Sequence, residues 1–120
     1  MPMSYAGHAH DYGGRDGRKY ITQIIDASSN LLCQKGKLVM LCFDFLGVEQ
    51  DYGKRSLANI ALDHGLQTRI LARHERIVRK GGQTESNIGW IRKIYPKYSF
   101  QKNSDGNYCH EILIFEMTFQ

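Results

Sequence analysis

Tyr12-Gly13-Gly14-Arg15-Asp16-Gly17-Arg18 and, one helix later, Lys37-Leu38-Val39-Met40-Leu41-Cys42-Phe43-Asp44-Phe45 are the stretches that decide how this chain is read. Gly13, Gly14 and Gly17 mark a turn. Asp16 is a candidate N-cap, because its carboxylate can accept from the free N–H groups of a first helical turn. Tyr20, Ile21, Ile24, Ile25, Ser28, Leu31 and Leu32 then fall at helical spacing. A helix is therefore predicted over 19–33, with Gly36 available to end it. The second stretch opens a nearly continuous apolar run over 38–46, in which Asp44 is the only charge. A strand buried on both faces reads this way, and such strands belong mostly to parallel sheets covered by helices.

Downstream, a helix is predicted over 49–64, with Leu57, Ile60 and Ala61 facing inward and Gly65 as its stop. Residues 66–79 alternate imperfectly and read as a strand, followed by a Gly81-Gly82 turn. A short helix over 86–94 carries Ile88, Trp90, Ile91 and Ile94 and is stopped by Pro96. Tyr98-Ser99-Phe100 precedes Asn103-Ser104-Asp105-Gly106-Asn107, where Asp-Gly signals a hairpin, and a long strand over 110–120 follows. Residues 1–14, rich in Gly, His and Ser, read as loop. Alternation of helices and strands predicts an α/β layered unit, its last strand antiparallel in an otherwise parallel sheet.

The 120 residues suit one domain, and 42% hydrophobic with 23% charged residues fits a folded chain rather than a disordered one. No apolar run approaches the ~18 residues of a membrane span. The first residues lack the basic and apolar regions of a secretory signal. Cys33, Cys42 and Cys109 all lie in apolar stretches, which predicts buried, reduced thiols in a cytoplasmic protein. Arg69, Arg73, Arg76, Arg79, Lys80, Arg92, Lys93, Lys97 and Lys102 stand against only Glu75 and Glu85 over 66–102. That segment thus carries +7 and the rest of the chain −3, within a total of +4. Such asymmetry points to an anionic partner, while a solvated basic face is the plainer reading.

The glycine turn, the helix, the Lys35-Gly36 break and the apolar strand together resemble the second half of a class I S-adenosylmethionine-dependent methyltransferase. The nearest subgroup modifies planar nitrogens, in release-factor glutamines or nucleic-acid bases. Gly13-Gly14-Arg15-Asp16-Gly17 matches the Gly-Gly-x-Asp-Gly turn of that subgroup. Met1-Pro2-Met3 looks like the residues that stand immediately after its Asn/Asp-Pro-Pro motif. The resemblance implies half of a Rossmann-like methyltransferase sandwich, α/β, with a mostly parallel sheet and an antiparallel final strand. Residues 38–46 would be strand five, 68–78 strand six and 111–120 strand seven, with 81–107 an insertion. It also implies a substrate-side loop containing Met1, Pro2, Met3, Gly13, Gly14 and Asp16. The Asn/Asp-Pro-Pro motif and the cofactor's glycine-rich loop have no counterpart in the sequence. The resemblance therefore assigns no catalytic residue, and S-adenosylmethionine belongs to the complete domain rather than to this chain alone. Strand five would lack strand four beside it, so self-association or a complementing amino-terminal half is expected.

Other constellations are weaker. His8-Ala9-His10-Asp11 offers metal-ligand types but no second cluster to complete a site, so a loop is the plainer reading and no metal is expected. Gly13-Gly14-x-x-Gly17, with Arg15, Arg18 and Lys19, could cradle a phosphate or could simply turn into the helix. Asp44 is either a functional carboxylate at the sheet's carboxyl end or a cap on a neighbour. Trp90 reads as core or interface. Tyr95, Tyr98 and Phe100 interleave with Arg92, Lys93 and Lys97, the composition of a single-strand-binding surface. The alternative function is therefore a non-enzymatic module that oligomerises or binds nucleic acid through Arg69, Arg73, Arg76, Arg92, Lys93 and Lys97.

Overall fold

A computed structural model describes residues 14–120. The elements run α1 (Lys19–Leu31), β1 (Lys37–Phe43), a single 3-10 turn (Asp44–Leu46), α2 (Leu57–Asp63), β2 (Leu66–Ile77), α3 (Gln83–Ser86), α4 (Ile88–Ile94), β3 (Gln101–Lys102) and β4 (Tyr108–Phe119). These strands form one sheet in the order β1-β4-β2, with β3 pairing on β4 beyond the end of β1. Among the described residues every pairing is antiparallel.

This corrects the mostly parallel, Rossmann-like half-sandwich that the sequence implied. The last strand does not join an outer edge. It inserts between β1 and β2 and runs against both, so these neighbours are all antiparallel. The expectation rested on the apolar run after Lys37, read as a strand covered on both faces. In the structure only one face is covered: Val39 is 54% and Leu41 61% exposed.

The core lies on the opposite face. Leu113, Phe115 and Met117 alternate along β4 toward it, with Met40 and Ile70 flanking Phe115 on either side. Ile25 of α1, Leu57 and Ala61 of α2, and Ile91 and Tyr95 at α4 complete this cluster. On α1 the predicted stripe is only half used: Ile25 and Ser28 are buried, while Tyr20, Ile24 and Leu31 are exposed.

Several boundaries differ for identifiable reasons. The 38–46 strand stops at Phe43, because the chain curls into the 3-10 turn and leaves it through Gly47 at φ 79°. A Cβ there would meet the Gln50 carbonyl oxygen at 2.6 Å, so glycine is required. The 49–64 helix begins only at Leu57, where the Ser56 hydroxyl accepts from the Asn59 N–H. Asp16 does not cap α1. Arg18 holds the N-cap position, and the Asp16 carboxylate instead accepts the Arg18 N–H within the preceding turn. The Asn103–Asn107 hairpin forms as the sequence indicates, with Asn103 Oδ1 accepting from both Asp105 and Asn107.

Cys33 is exposed, contrary to expectation, whereas Cys42 and Cys109 are buried. Burial, followed by the neighbouring Asp44 charge, pushes the Cys42 thiol up to about 12. Because the thiolate is the reactive form, a thiol reagent at pH 8 is expected to modify Cys33 rapidly. Cys42 and Cys109 should react only after unfolding, which mass spectrometry of the native and denatured protein checks.

Candidate functional site

β1 and β2 point the same way, so their carboxyl ends lie together beside the start of β4. On the β1 side of β4, pairing stops at Phe43 opposite Ile112 and resumes at Gln101 opposite Cys109. His110 and Glu111 fall in the gap. The gap is filled by Asp44, the first residue after β1. Its two carboxylate oxygens each lie 3.0 Å from the Tyr98 hydroxyl, which donates to them, and the carboxylate also accepts the Glu111 N–H.

Burial raises the Asp44 carboxyl above its usual range; the Tyr98 and Glu111 hydrogen bonds draw it partly back. The Tyr98 hydroxyl is pushed up by burial first and the Asp44 charge second, and Tyr52 is raised by the same causes in the same order. Tyr98 is held by rings on three sides. It meets Tyr52 edge-on at 5.1 Å, Phe100 at 5.0 Å and Phe45 at 5.9 Å. His110, 7% exposed, sets its ring against Phe43 at 5.2 Å and Phe45 at 5.8 Å.

A cleft of about 420 Å³ opens here, lined by Asp44, Tyr52, Glu75, Tyr98, His110 and Glu111 among others. Its polar wall is made largely of acceptors, so it suits a planar or cationic group that offers N–H donors. A second cleft of about 300 Å³ shares His110 and is lined by Phe43, Arg76, Arg79 and Thr84. Among the described residues, no group of His, Cys, Asp or Glu side chains is arranged to hold a metal ion.

The residues singled out in the sequence are dispersed. Met1, Pro2, Met3 and Gly13, like His8, His10 and Asp11, lie outside the described residues. Gly14 at φ 88° and Gly17 at φ 75° do form a turn. That turn docks on α4: the Arg15 carbonyl accepts from the Trp90 indole at 2.6 Å and the Asp16 carbonyl from the Tyr95 hydroxyl at 2.5 Å. Its basic neighbours do not converge on a phosphate cradle, since Arg18 is buried and donates to the Arg55 carbonyl, while Arg15 stacks over Trp90.

The basic set is split as well. Arg69 pairs with Glu116 at 2.8 Å, and Lys37 joins the same carboxylate at 3.7 Å. Arg73, on the opposite face, bridges Glu49 and Glu111. Arg76 borders the second cleft, Arg92 lies over Tyr108, Lys93 over Trp90, and the Lys97 N–H bonds the Tyr52 carbonyl. Tyr95, Tyr98 and Phe100 are buried, so they are core aromatics and not an exposed stacking surface. Asp44 is the one sequence candidate at the centre of a cleft. Glu75, His110 and Glu111 had no distinguishing signal.

Asp44 makes its contribution to stability predictable in sign. Its folded value lies above the ordinary 3.8, so the contribution is complete below that value and is lost as pH rises through the raised one. Asp63, held low by its hydrogen bond to Arg55, works in the opposite direction. The difference between wild-type and Asp44→Asn stability curves, measured by urea unfolding across the acid range, should therefore show the wild type losing ground as pH rises. Tyr98→Phe removes a bond to a charged group, should cost about 1.5–3 kcal/mol near neutral pH, and should raise the Asp44 titration further by NMR. No family model, curated protein or solved structure matches this chain.

Proposed function

We propose that this chain is the carboxyl-terminal portion of an S-adenosylmethionine-dependent methyltransferase acting on a planar nitrogen of a protein glutamine or a nucleic-acid base. We assign the Asp44 cleft to the substrate. The observation that carries this reading is the place of the cleft, at the joint carboxyl ends of β1 and β2. β1 and β2 run the same way on either side of β4, so the cleft gathers side chains from the ends of both strands and from the start of β4. A carboxamide or exocyclic amine presents N–H donors, and Asp44, Glu75 and Glu111 present the acceptors. The free cysteines fit a cytoplasmic setting. No helix among the described residues is long and apolar enough to cross a membrane.

The glycine-rich loop that the resemblance requires for the cofactor has no counterpart in the sequence. S-adenosylmethionine therefore belongs to a complementing amino-terminal half, and no step is assigned to the cofactor here. The surface for that half is the free side of β1. Among the described residues nothing pairs with β1 there, and exposed Val39, Leu41 and Ile114 continue the apolar surface onto the uncovered sheet face. A non-enzymatic oligomerising module is the second reading, favoured by this same open edge.

The native gene upstream of Met1 is expected to encode an Asn/Asp-Pro-Pro motif and a glycine-rich loop, in frame or one shift away. Sequencing that DNA decides the matter, and unrelated sequence there overturns the reading. So does methyl transfer by the isolated chain from labelled S-adenosylmethionine to a glutamine peptide or an oligonucleotide.

Leu41→Asp, at a 61% exposed position in the middle of β1, should cost only about 1–2 kcal/mol of stability and leave the chain folded. It should nevertheless abolish co-purification with the upstream half. If instead light scattering shows a homodimer that Leu41→Asp dissociates, the oligomerising module gains the ground.

A further inference from the structure

We propose that the cleft bounded by Arg76, Arg79 and His110 binds the phosphate group of a small phosphate monoester, as a site separate from the Asp44 cleft. It lies at the carboxyl end of β2, where the strand gives way to the turn that leads into α3. Arg76 lies directly across the β2–β4 ladder from His110, so both side chains stand on the same face of the sheet. The chain then turns back. The Gly82 N–H donates to the Arg79 carbonyl at 3.0 Å, and a Cβ on Gly82 would lie 3.7 Å from Arg79 Nε. The Arg79 side chain is thereby folded against the turn, and Gly82 and Thr84 line the cleft beside it.

Two observations point to an anion. The first is charge: the cleft has two arginines and a histidine in its walls and no acidic residue. Arg55, Arg69 and Arg73 are each ion-paired with a carboxylate. Among the described residues none pairs with Arg76 or Arg79, and Glu85, on the same turn, accepts the Gly81 N–H at 3.0 Å instead. The second is His110. It is only 7% exposed, and among the described residues its one hydrogen-bonding contact is a long one, from Nδ1 to the Glu111 carbonyl at 3.4 Å. Buried polar groups are ordinarily bonded, so Nε2 is left for a ligand in the cleft. Guanidinium groups without an internal counter-ion are suited to phosphate oxygens, which they bind through paired N–H donors. Donors from the sheet, from His110 and from the turn suit a tetrahedral group with three free oxygens better than a planar carboxylate with two. The remaining walls, Phe43, Ile77, Val78 and Ile112, are apolar and suit the organic part of a monoester. Ile77 is 56% exposed although it lines the cleft, so an apolar group entering there would cover it. The volume of about 300 Å³ lies at the lower end for small-molecule sites, which favours a free small molecule over a phosphorylated chain. None of this rests on the methyltransferase reading.

The test is titration of the 120-residue chain, followed by calorimetry and amide NMR. The probes are phenyl phosphate, inorganic phosphate, phenol, dimethyl phosphate, a phosphotyrosine peptide and a 5′-phosphorylated oligonucleotide. Phenyl phosphate is expected to bind about ten-fold or more tightly than phenol or dimethyl phosphate, since its additional anionic oxygen makes a further charge-assisted bond. Inorganic phosphate should compete for the same arginines but bind more weakly, for want of the apolar contact. The Gly82 and Thr84 signals should shift, while those of Ser99 and Gln101, which line the Asp44 cleft alone, stay in place. Arg76→Gln and Arg79→Gln, both at exposed positions and so compatible with folding, should each weaken phenyl phosphate by about ten-fold. Arg69→Gln removes the same charge from the same sheet face, and Lys37 still pairs with Glu116. It should change binding by no more than about two-fold in ordinary salt. Equal losses in all three variants would mean attraction by net charge alone and would overturn the proposal. So would the absence of saturable phenyl phosphate binding, equal binding of dimethyl phosphate, or shifts confined to the Asp44 cleft. Tighter binding of the peptide or the oligonucleotide than of phenyl phosphate would overturn the small-molecule assignment. None of these outcomes bears on the methyltransferase reading.

Discussion

A strand in the middle of a sheet must have its peptide groups satisfied along both edges, and in this protein that strand is β4. One edge is served along nearly its whole length by β2. The other is shared by β1 and β3, which do not meet. The Glu111 N–H in the gap between them is taken by the Asp44 carboxylate. The 3-10 turn after β1, the glycine at position 47 that releases it and the aromatic packing that holds Tyr98 over Asp44 all serve that one junction. A carboxylate that completes a backbone ladder cannot move freely. It is consequently a fixed acceptor at the mouth of a cleft, and its elevated titration follows from the burial that fixing it requires.

The same junction explains the chemistry of the surroundings. Residues at the end of β2 and the start of β4 alternate between the two sheet faces, so consecutive side chains supply opposite environments. Glu75 and Glu111 fall on the Asp44 side, Arg76 and His110 on the other. A change from anionic to cationic surface over one peptide unit is a direct product of strand geometry.

Much of the element content was legible in the sequence. The 3.6-residue spacing after Lys19 and the Asp-Gly turn before β4 carry local signals, and local signals survive folding. Strand order was not legible, because the insertion of β4 between β1 and β2 is decided by pairings between segments far apart in the chain, such as Lys37 with Thr118. The long helix expected over 49–64 failed at Gly53, whose φ of 124° and contact with the Pro96 ring belong to a loop packed against the far end of α4. Within the site, Asp44 stood out as a lone charge in an apolar run. Tyr98 did not, since a tyrosine among lysines and arginines reads as surface until its hydroxyl is seen to meet a carboxylate 54 residues away. The basic residues over 66–102 looked like one patch because sequence shows density of charge and not direction; the sheet sends Arg69 and Arg73 to opposite faces.

The register of β2 slips by one residue between Ile70 and Ala72, whereas β1 pairs with β4 without interruption. An extra residue twists and roughens a strand's outer rim, which discourages another chain from adding to it. Among the described residues the sheet therefore has one regular rim, β1, and one interrupted rim, β2, and joining copies rim to rim into a continuous ribbon would call on both.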